Sequence, residues 1–418
     1  MRILIKGATL GDQTADIFIN EGLIAEISPE CRQPADRVIN GRCKIALPAF
    51  INGHTHAAMT LFRGYADDMP LQRWLEEKIW VLEAKLTEED VYWGTKLACL
   101  EMIKNGTTLF NDMYWHFEGT ARAAQEMGLR AVVSAVLIDM FDRKRSEQQI
   151  QKNVELFQIA KKYKPHVTFA LGPHAIYTVS RESLQWVREF SEENGIFIHM
   201  HLCETDNEVG FAREKYGTKP VEFLDSLGLL SSRFIGCHGC WLDEDDCKLL
   251  AETKTNFVHN PVSNLKMSVG RIFPYRLMRD YAIPYCFGTD GCSSNNHLDL
   301  IETMKFASLL AKFSTNDPTF LSAEETFHCA TTTAARIFSL GTWEIAEGSY
   351  TDIILIDPAR PEFVPNFDTY SDIVYASNGY AVDTVIAMGR VLMENRYVPG
   401  EELIIREVRK RAKDLVKR

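Results

Sequence analysis

The 418-residue sequence has no apolar run near the roughly 18 residues that a membrane-spanning helix requires, and its opening, MRILIKGATLGDQ, lacks a small-residue cleavage site. A cytoplasmic location without a membrane partner is expected. Positive charge is also short: 46 basic against 57 acidic residues give −11, which removes the electrostatic basis for binding nucleic acid but leaves a single small ligand open. The ten cysteines are scattered through apolar stretches instead of forming a dense framework, so buried free thiols are expected. Cys237 and Cys240 make one CxxC without a second to close a structural zinc site. Neither a fixed repeat nor a low-complexity linker is visible.

What is present is a rhythm. Eight short β-rich runs, at 46–52, 107–112, 130–137, 167–174, 196–201, 233–239, 256–260 and 284–290, alternate with amphipathic stretches. One such stretch, 88–105, follows Thr87, a good helix cap. Eight repeats of strand and helix predict an α/β protein, a (β/α)8 TIM barrel over 47–347. The ends read differently: 1–46 and 348–418 carry short alternating runs broken by Gly and Pro, predicting a small composite β-sandwich domain built from both ends. A basic helix should close the chain from about Glu401.

Barrel chemistry sits at the C-terminal ends of the strands, so residues ending each run share one mouth. The first run ends in His54-Thr55-His56, the fourth in His174, the fifth in His201 with Glu204 beyond, the sixth in His238 and the eighth in Asp290. Along an extended chain His54 and His56 point the same way. Three imidazoles and a carboxylate, His54, His56, His201 and Asp290, suit zinc or ferrous iron with an open water position. Glu204 is placed to shuttle a proton to and from that water. His238 would orient or electrostatically support it. His199 faces the same way as His201 one step deeper, where a supporting or packing role fits. His259 suits loop geometry, and His116, His166, His297 and His328 receive no role.

With these residues in hand, the chain resembles the amidohydrolase superfamily, in its methylthioadenosine/S-adenosylhomocysteine deaminase and chlorohydrolase-like branch. The shared segments are LPAFINGHTHAAMTLFRGYADDMPLQRWLE from Leu47, EAKLTEEDVYWGT from Glu83, GTTLFNDMYW from Gly106, GPH from Gly172, HLCET from His201, HNPVSNLKM from His259 and GTDGCSSNN from Gly288. The resemblance runs nearly end to end, and EGSYTDIILID from Glu347 looks like the family's composite β domain. It implies one divalent metal on His54, His56, His201 and Asp290, with Glu204, His238 and Asp290 catalytic. It further implies that Glu83 binds ribose hydroxyls, that His174 contacts the nucleoside, and that Trp115 is a stacking wall. Arg143 or Arg145 would meet an amino-acid carboxylate. Departures lie at GRIFPY from Gly270, GPHAIYT and MFDRKRSEQQ, all mouth segments that bear on substrate choice.

The expected reaction is hydrolytic deamination of an adenine nucleoside (S-adenosylhomocysteine, 5'-methylthioadenosine or adenosine) by a metal-bound hydroxide, with Glu204 and Asp290 also contacting substrate. An alternative is attack on another ring substituent, as in guanine, an oxidised purine or a triazine; a non-catalytic binding subunit is a third. The unrelated deaminase fold built on PCxxC is unsupported because that motif is absent. A homo-oligomer is compatible with all three.

Overall fold

The computed structural model describes residues 1–418 apart from the side chains of residues 71 and 72. Eight parallel strands, Phe50–Thr55, Thr107–Tyr114, Arg130–Leu137, Val167–Pro173, Phe197–Leu202, Phe234–His238, Asn256–His259 and Tyr285–Phe287, pair in chain order to form the barrel. Ile51, Leu109, Val132, Ala170, Ile235, Val258 and Cys286 belong to one buried apolar cluster, with Ala334, Ile337, Phe338 and Trp343 packed against them. Trp343 donates its indole N–H to the Ala49 carbonyl, just before the first strand, so this cluster fills the N-terminal floor. With the floor apolar, the titratable side chains gather towards the opposite mouth.

The last and first strands meet at a seam held by side chains. Asn52 and Thr289 exchange hydrogen bonds (Nδ2 to Oγ1, 2.8 Å; Thr289 N–H to Oδ1, 3.1 Å), and the Asp290 N–H reaches the His54 carbonyl at 3.0 Å. Gly288 is required for this approach: a Cβ there would stand 2.4 Å from Asn260 Oδ1 and 2.8 Å from the His54 nitrogen. The predicted run 46–52 divides at this end of the molecule. Ile45–Pro48 pairs antiparallel with Ile353–Ile356 in the outer sheet, while Phe50–Thr55 opens the barrel.

The outer sheet draws on both chain ends. Ile3–Leu10 pairs antiparallel with Gln13–Asn20 on one side and parallel with Arg37–Asn40 and Ile45–Pro48 on the other; Leu23–Ser28, Ile353–Ile356, Val382–Ala387 and Arg390–Met393 complete it. Alternating Ile residues, among them Ile3, Ile5, Ile17, Ile19, Ile353 and Ile386, share one buried core, as period-two patterning requires. The helix Glu88–Lys104 starts at Thr87 with Asp90 completing a capping box. Asp90 is also where the C-terminus docks: Arg418 reaches its two carboxylate oxygens at 2.7 and 3.2 Å and Arg411 at 3.3 Å, securing the helix Glu401–Leu415. Among the described residues no helix is long and apolar enough to cross a membrane. All ten cysteines are free, eight of them buried.

Candidate active site

The strand ends converge on one point. His54 is buried where the register with the second strand shifts between Asn52 and Thr55, and His56 lies just past the strand end, so strict alternation alone does not orient the two histidines. His54 Nδ1 lies 2.8 Å from His199 Nε2, and His199 Nδ1 lies 3.0 Å from Ser134 Oγ. If His199 donates to Ser134, its Nε2 accepts the His54 Nδ1–H, which leaves His54 Nε2 as a bare lone pair. That atom is buried and has no hydrogen-bond partner. His56 Nδ1 donates to the Met113 carbonyl at 2.6 Å and His201 Nδ1 to the His174 carbonyl at 2.9 Å, freeing both Nε2 atoms likewise.

Asp290 supplies the oxygen. Its Oδ2 accepts from Ser263 Oγ (2.6 Å) and Ser294 Oγ (2.9 Å), while Oδ1 stands 3.4 Å from His54 Nε2 and 3.3 Å from His56 Nε2. Ligand atoms of His54, His56 and His201 lie within 4.8 Å of one another, as do those of His54, His238 and Asp290. An orphaned buried nitrogen facing two more imidazoles and a carboxylate fits a divalent metal. Burial pushes His54 down to about 4, reinforced by the neighbouring charge of His56 and opposed by Asp290. Burial opposes ionisation of Asp290, but the surrounding His54, His56 and His238 hold its carboxyl well below the usual carboxylate range.

Beside this cluster stand two ionisable groups, His238 and Glu204. His238 Nδ1 donates to Asn264 Oδ1 at 2.7 Å and lies 3.7 Å from Glu204 Oε1. Burial pulls the imidazole down, but the Glu204 and Asp290 charges outweigh it and raise His238 above its ordinary value. Burial raises the Glu204 carboxyl, with His238 opposing and Asp290 adding to the rise. A carboxyl that keeps its proton more readily than usual, close to an imidazole of raised basicity, is a pair able to exchange protons with a bound substrate.

The cavity has an inner chamber joined to two outer lobes, one of which, of about 830 Å³, shares Leu75, Tyr177 and Met267 with the chamber. The chamber, of about 100 Å³, is lined by His56, His201, Glu204, His238 and Asp290, and the other lobe, of about 750 Å³, by Leu86, Phe117, Ile138, Met140 and Leu156 among others. Glu83, His174 and Trp115 line the chamber and this second lobe and therefore sit at their junction. Trp115 Nε1 donates to Glu83 Oε2 at 3.3 Å, and burial raises the Glu83 carboxyl. His174 Nδ1 donates to Thr178 Oγ1, whose own proton goes to the Ala175 carbonyl, so His174 Nε2 is a neutral acceptor; burial and the nearby histidines push it down to about 3.

The expected metal ligands, the expected catalytic groups and the nucleoside-contacting Glu83, His174 and Trp115 thus lie at one mouth. The two arginines do not. Arg143 is exposed and pairs with Glu147, neither Arg143 nor Arg145 lines the lobe, and the basic residue of that helix that does is Lys152. His259 stacks on Phe273 at 4.3 Å and meets the Tyr275 hydroxyl at 2.7 Å, which is packing. Sequence reasoning missed Ser263, Asn264, Ser294 and Glu208, which hydrogen-bond to Asp290, His238 and the backbone of Glu204. They lie in the segments HNPVSNLKM, GTDGCSSNN and HLCETDNEVG, but off the strand ends, so the strand-end rule did not reach them.

Residues 45–392 match the amidohydrolase family. The chain is 46% identical to a 5'-deoxyadenosine deaminase of Methanospirillum hungatei over 99% of this chain and 94% of that protein. It is 43% identical to the 5-methylthioadenosine/S-adenosylhomocysteine deaminase 1 of Archaeoglobus fulgidus over 100% and 99% of the two. A zinc-bound adenosine deaminase structure from Xanthomonas campestris superimposes with a TM-score of 0.93 at 30% identity, covering 100% of this chain and 99% of that one. With the barrel, the ligand cluster and these similarities together, the chain belongs to the amidohydrolase family, in the branch of its 5'-deoxyadenosine and methylthioadenosine/S-adenosylhomocysteine deaminase relatives.

Proposed function

We propose that the protein hydrolytically deaminates adenine nucleosides that carry a 5' substituent, such as 5'-methylthioadenosine, S-adenosylhomocysteine or 5'-deoxyadenosine, and adenosine itself. The observation that carries this reading is the junction: Glu83 and His174 stand where a small reactive chamber opens into a larger apolar lobe. A purine ring enters the chamber, the two ribose hydroxyls donate to the Glu83 carboxylate, His174 contacts the nucleoside beside them, and the 5' group extends into the lobe. The names of the relatives support the same class.

His54, His56, His201 and Asp290 would hold the metal, zinc by this donor set, whose Lewis acidity makes water nucleophilic near neutral pH. Asp290 Oδ1 and His238 orient the water towards the amino-bearing ring carbon. Glu204 donates its proton to the adjacent ring nitrogen as the water oxygen bonds to that carbon. Asp290 takes one proton from the water and passes it to the amino group, the C–N bond breaks so that ammonia leaves, and the proton left on the new hydroxyl returns to Glu204, giving the inosine analogue. Buried Ser263 and Ser294 keep Asp290 from rotating away while this happens.

Ammonia release measured across the four nucleosides, guanine, free adenine and a triazine tests the substrate class. No turnover of any ribosylated adenine would overturn it. Glu204→Gln should retain metal by elemental analysis, with zinc as the metal found, and lose turnover by roughly 100- to 10,000-fold, the usual contribution of a general acid–base group. Full activity in that variant would remove Glu204 from the mechanism.

A further inference from the structure

Glu204 sits on a sharp turn between the fifth strand and the helix Asp206–Tyr216, and Cys203 before it has φ +54°, a region unusual for a residue with a side chain. Among the described residues nothing hydrogen-bonds to the Glu204 carboxylate, and its recorded polar neighbour is His238 at 3.7 Å. Its location is therefore set by its backbone. That backbone is gripped by Glu208: Oε1 accepts the Cys203 N–H at 2.9 Å and Oε2 accepts the Glu204 N–H at 2.9 Å.

This grip departs from ordinary helix chemistry. Thr205 caps the helix, its Oγ1 accepting the Glu208 N–H at 3.4 Å, and an acidic residue at that third position normally reaches back to the N–H of the capping residue. Glu208 reaches past Thr205 to the two preceding amides instead. Doing so leaves the carboxylate 1% exposed, and burial pushes it up to about 7 although two N–H groups oppose the shift. Capping alone does not need a carboxylate buried so deeply.

We propose that Glu208 is a positioning residue for the hydrolytic step, fixing the reach of Glu204 through a two-amide clamp. The inference rests on Glu204 as the proton-transfer group. In Glu208→Gln one oxygen still accepts an N–H, but the new amide group faces the other N–H, and the turn opens on that side. A displacement of about 1 Å at a reacting group costs on the order of 100-fold in rate, so kcat should fall by that order while KM changes little.

The test compares wild type, Glu204→Gln, Glu208→Gln and the double variant, each with metal content, melting temperature, kcat and KM for 5'-deoxyadenosine. If Glu208 acts through Glu204, the double variant is no slower than Glu204→Gln alone. Glu208→Asp keeps both acceptor oxygens on a shorter arm and should recover part of kcat; it also replaces Gln in the cycle should Glu208→Gln prove insoluble. Unchanged kcat in Glu208→Gln, or losses that multiply in the double variant, would overturn the positioning role. An active Glu204→Gln would instead overturn the proton-transfer assignment beneath it.

Discussion

Glu83 offers the sharpest separation of substrate binding from chemistry. It lines the junction of chamber and lobe, accepts Trp115 Nε1 at 3.3 Å and stands beside the buried Tyr114 hydroxyl. As a carboxylate it has acceptor capacity left for two ribose hydroxyls. Hydrogen bonds to a charged group contribute about 1.5–3 kcal/mol each, and Glu83→Gln loses the charge and one of the two acceptors. The expected loss is therefore about 2–3 kcal/mol, or roughly 30- to 150-fold in kcat/KM for a ribosylated substrate. Initial-rate assays of ammonia release with 5'-deoxyadenosine and with a 2',3'-dideoxy analogue separate the cases. Glu83→Gln should slow the first by that factor and leave the second near its wild-type rate. Equal losses on both substrates would mean that Glu83 supports the fold of the pocket instead of the ribose, and the reasoning would fail.

Three further outcomes follow from individual contacts. His199→Ala removes the acceptor that orients His54, so metal affinity should drop about 10- to 100-fold in a chelator competition, and unchanged affinity would contradict the role of the His54–His199 bond. Burial raises the Asp90 carboxyl, but Arg418 and Thr87 outweigh it and bring the group to about 2 from its ordinary 3.8. A depressed carboxyl stabilises the fold fully above its unfolded value and loses that contribution as pH falls towards the folded one. Asp90→Asn should therefore cost about 2 kcal/mol in urea unfolding at neutral pH, a difference that shrinks between roughly pH 4 and pH 2; a pH-independent difference would refute the linkage. Arg143→Ala should leave the kinetics of S-adenosylhomocysteine turnover unchanged, because Arg143 faces solvent on Glu147; a raised KM would restore the arginine to the substrate site.

Local pattern made much of the fold legible. The Thr87 cap and the helix from Glu88 follow from residue types that act within one turn, and the structure begins that helix where they indicate. Eight β-rich runs were countable because a strand buried on both faces must be apolar along its length. The run 46–52 is instructive where it divides: its residues 46–51 are apolar without a break, and only pairing partners far along the chain, Ile353–Ile356 for Ile45–Pro48 and Thr107–Tyr114 for Phe50–Thr55, assign its two parts to different sheets.

The site divides in the same way. By itself the sequence determined which residues end the barrel strands, and hence that His54, His56, His174, His201, His238 and Asp290 share a mouth, because parallel strands deliver their C-terminal residues to one face. Tertiary structure alone decided how those groups are held. Ser263 and Ser294 on Asp290, Asn264 on His238 and Glu208 beneath Glu204 come from loops or helix starts that no strand alternation marks, and although alternation placed His199 facing as His201 does, only the structure shows that it meets His54. It also decided that Lys152, and neither Arg143 nor Arg145, faces the outer lobe. Composition and spacing report what a short segment prefers; the direction a side chain takes after a bulge or a turn depends on what packs against it from elsewhere in the chain.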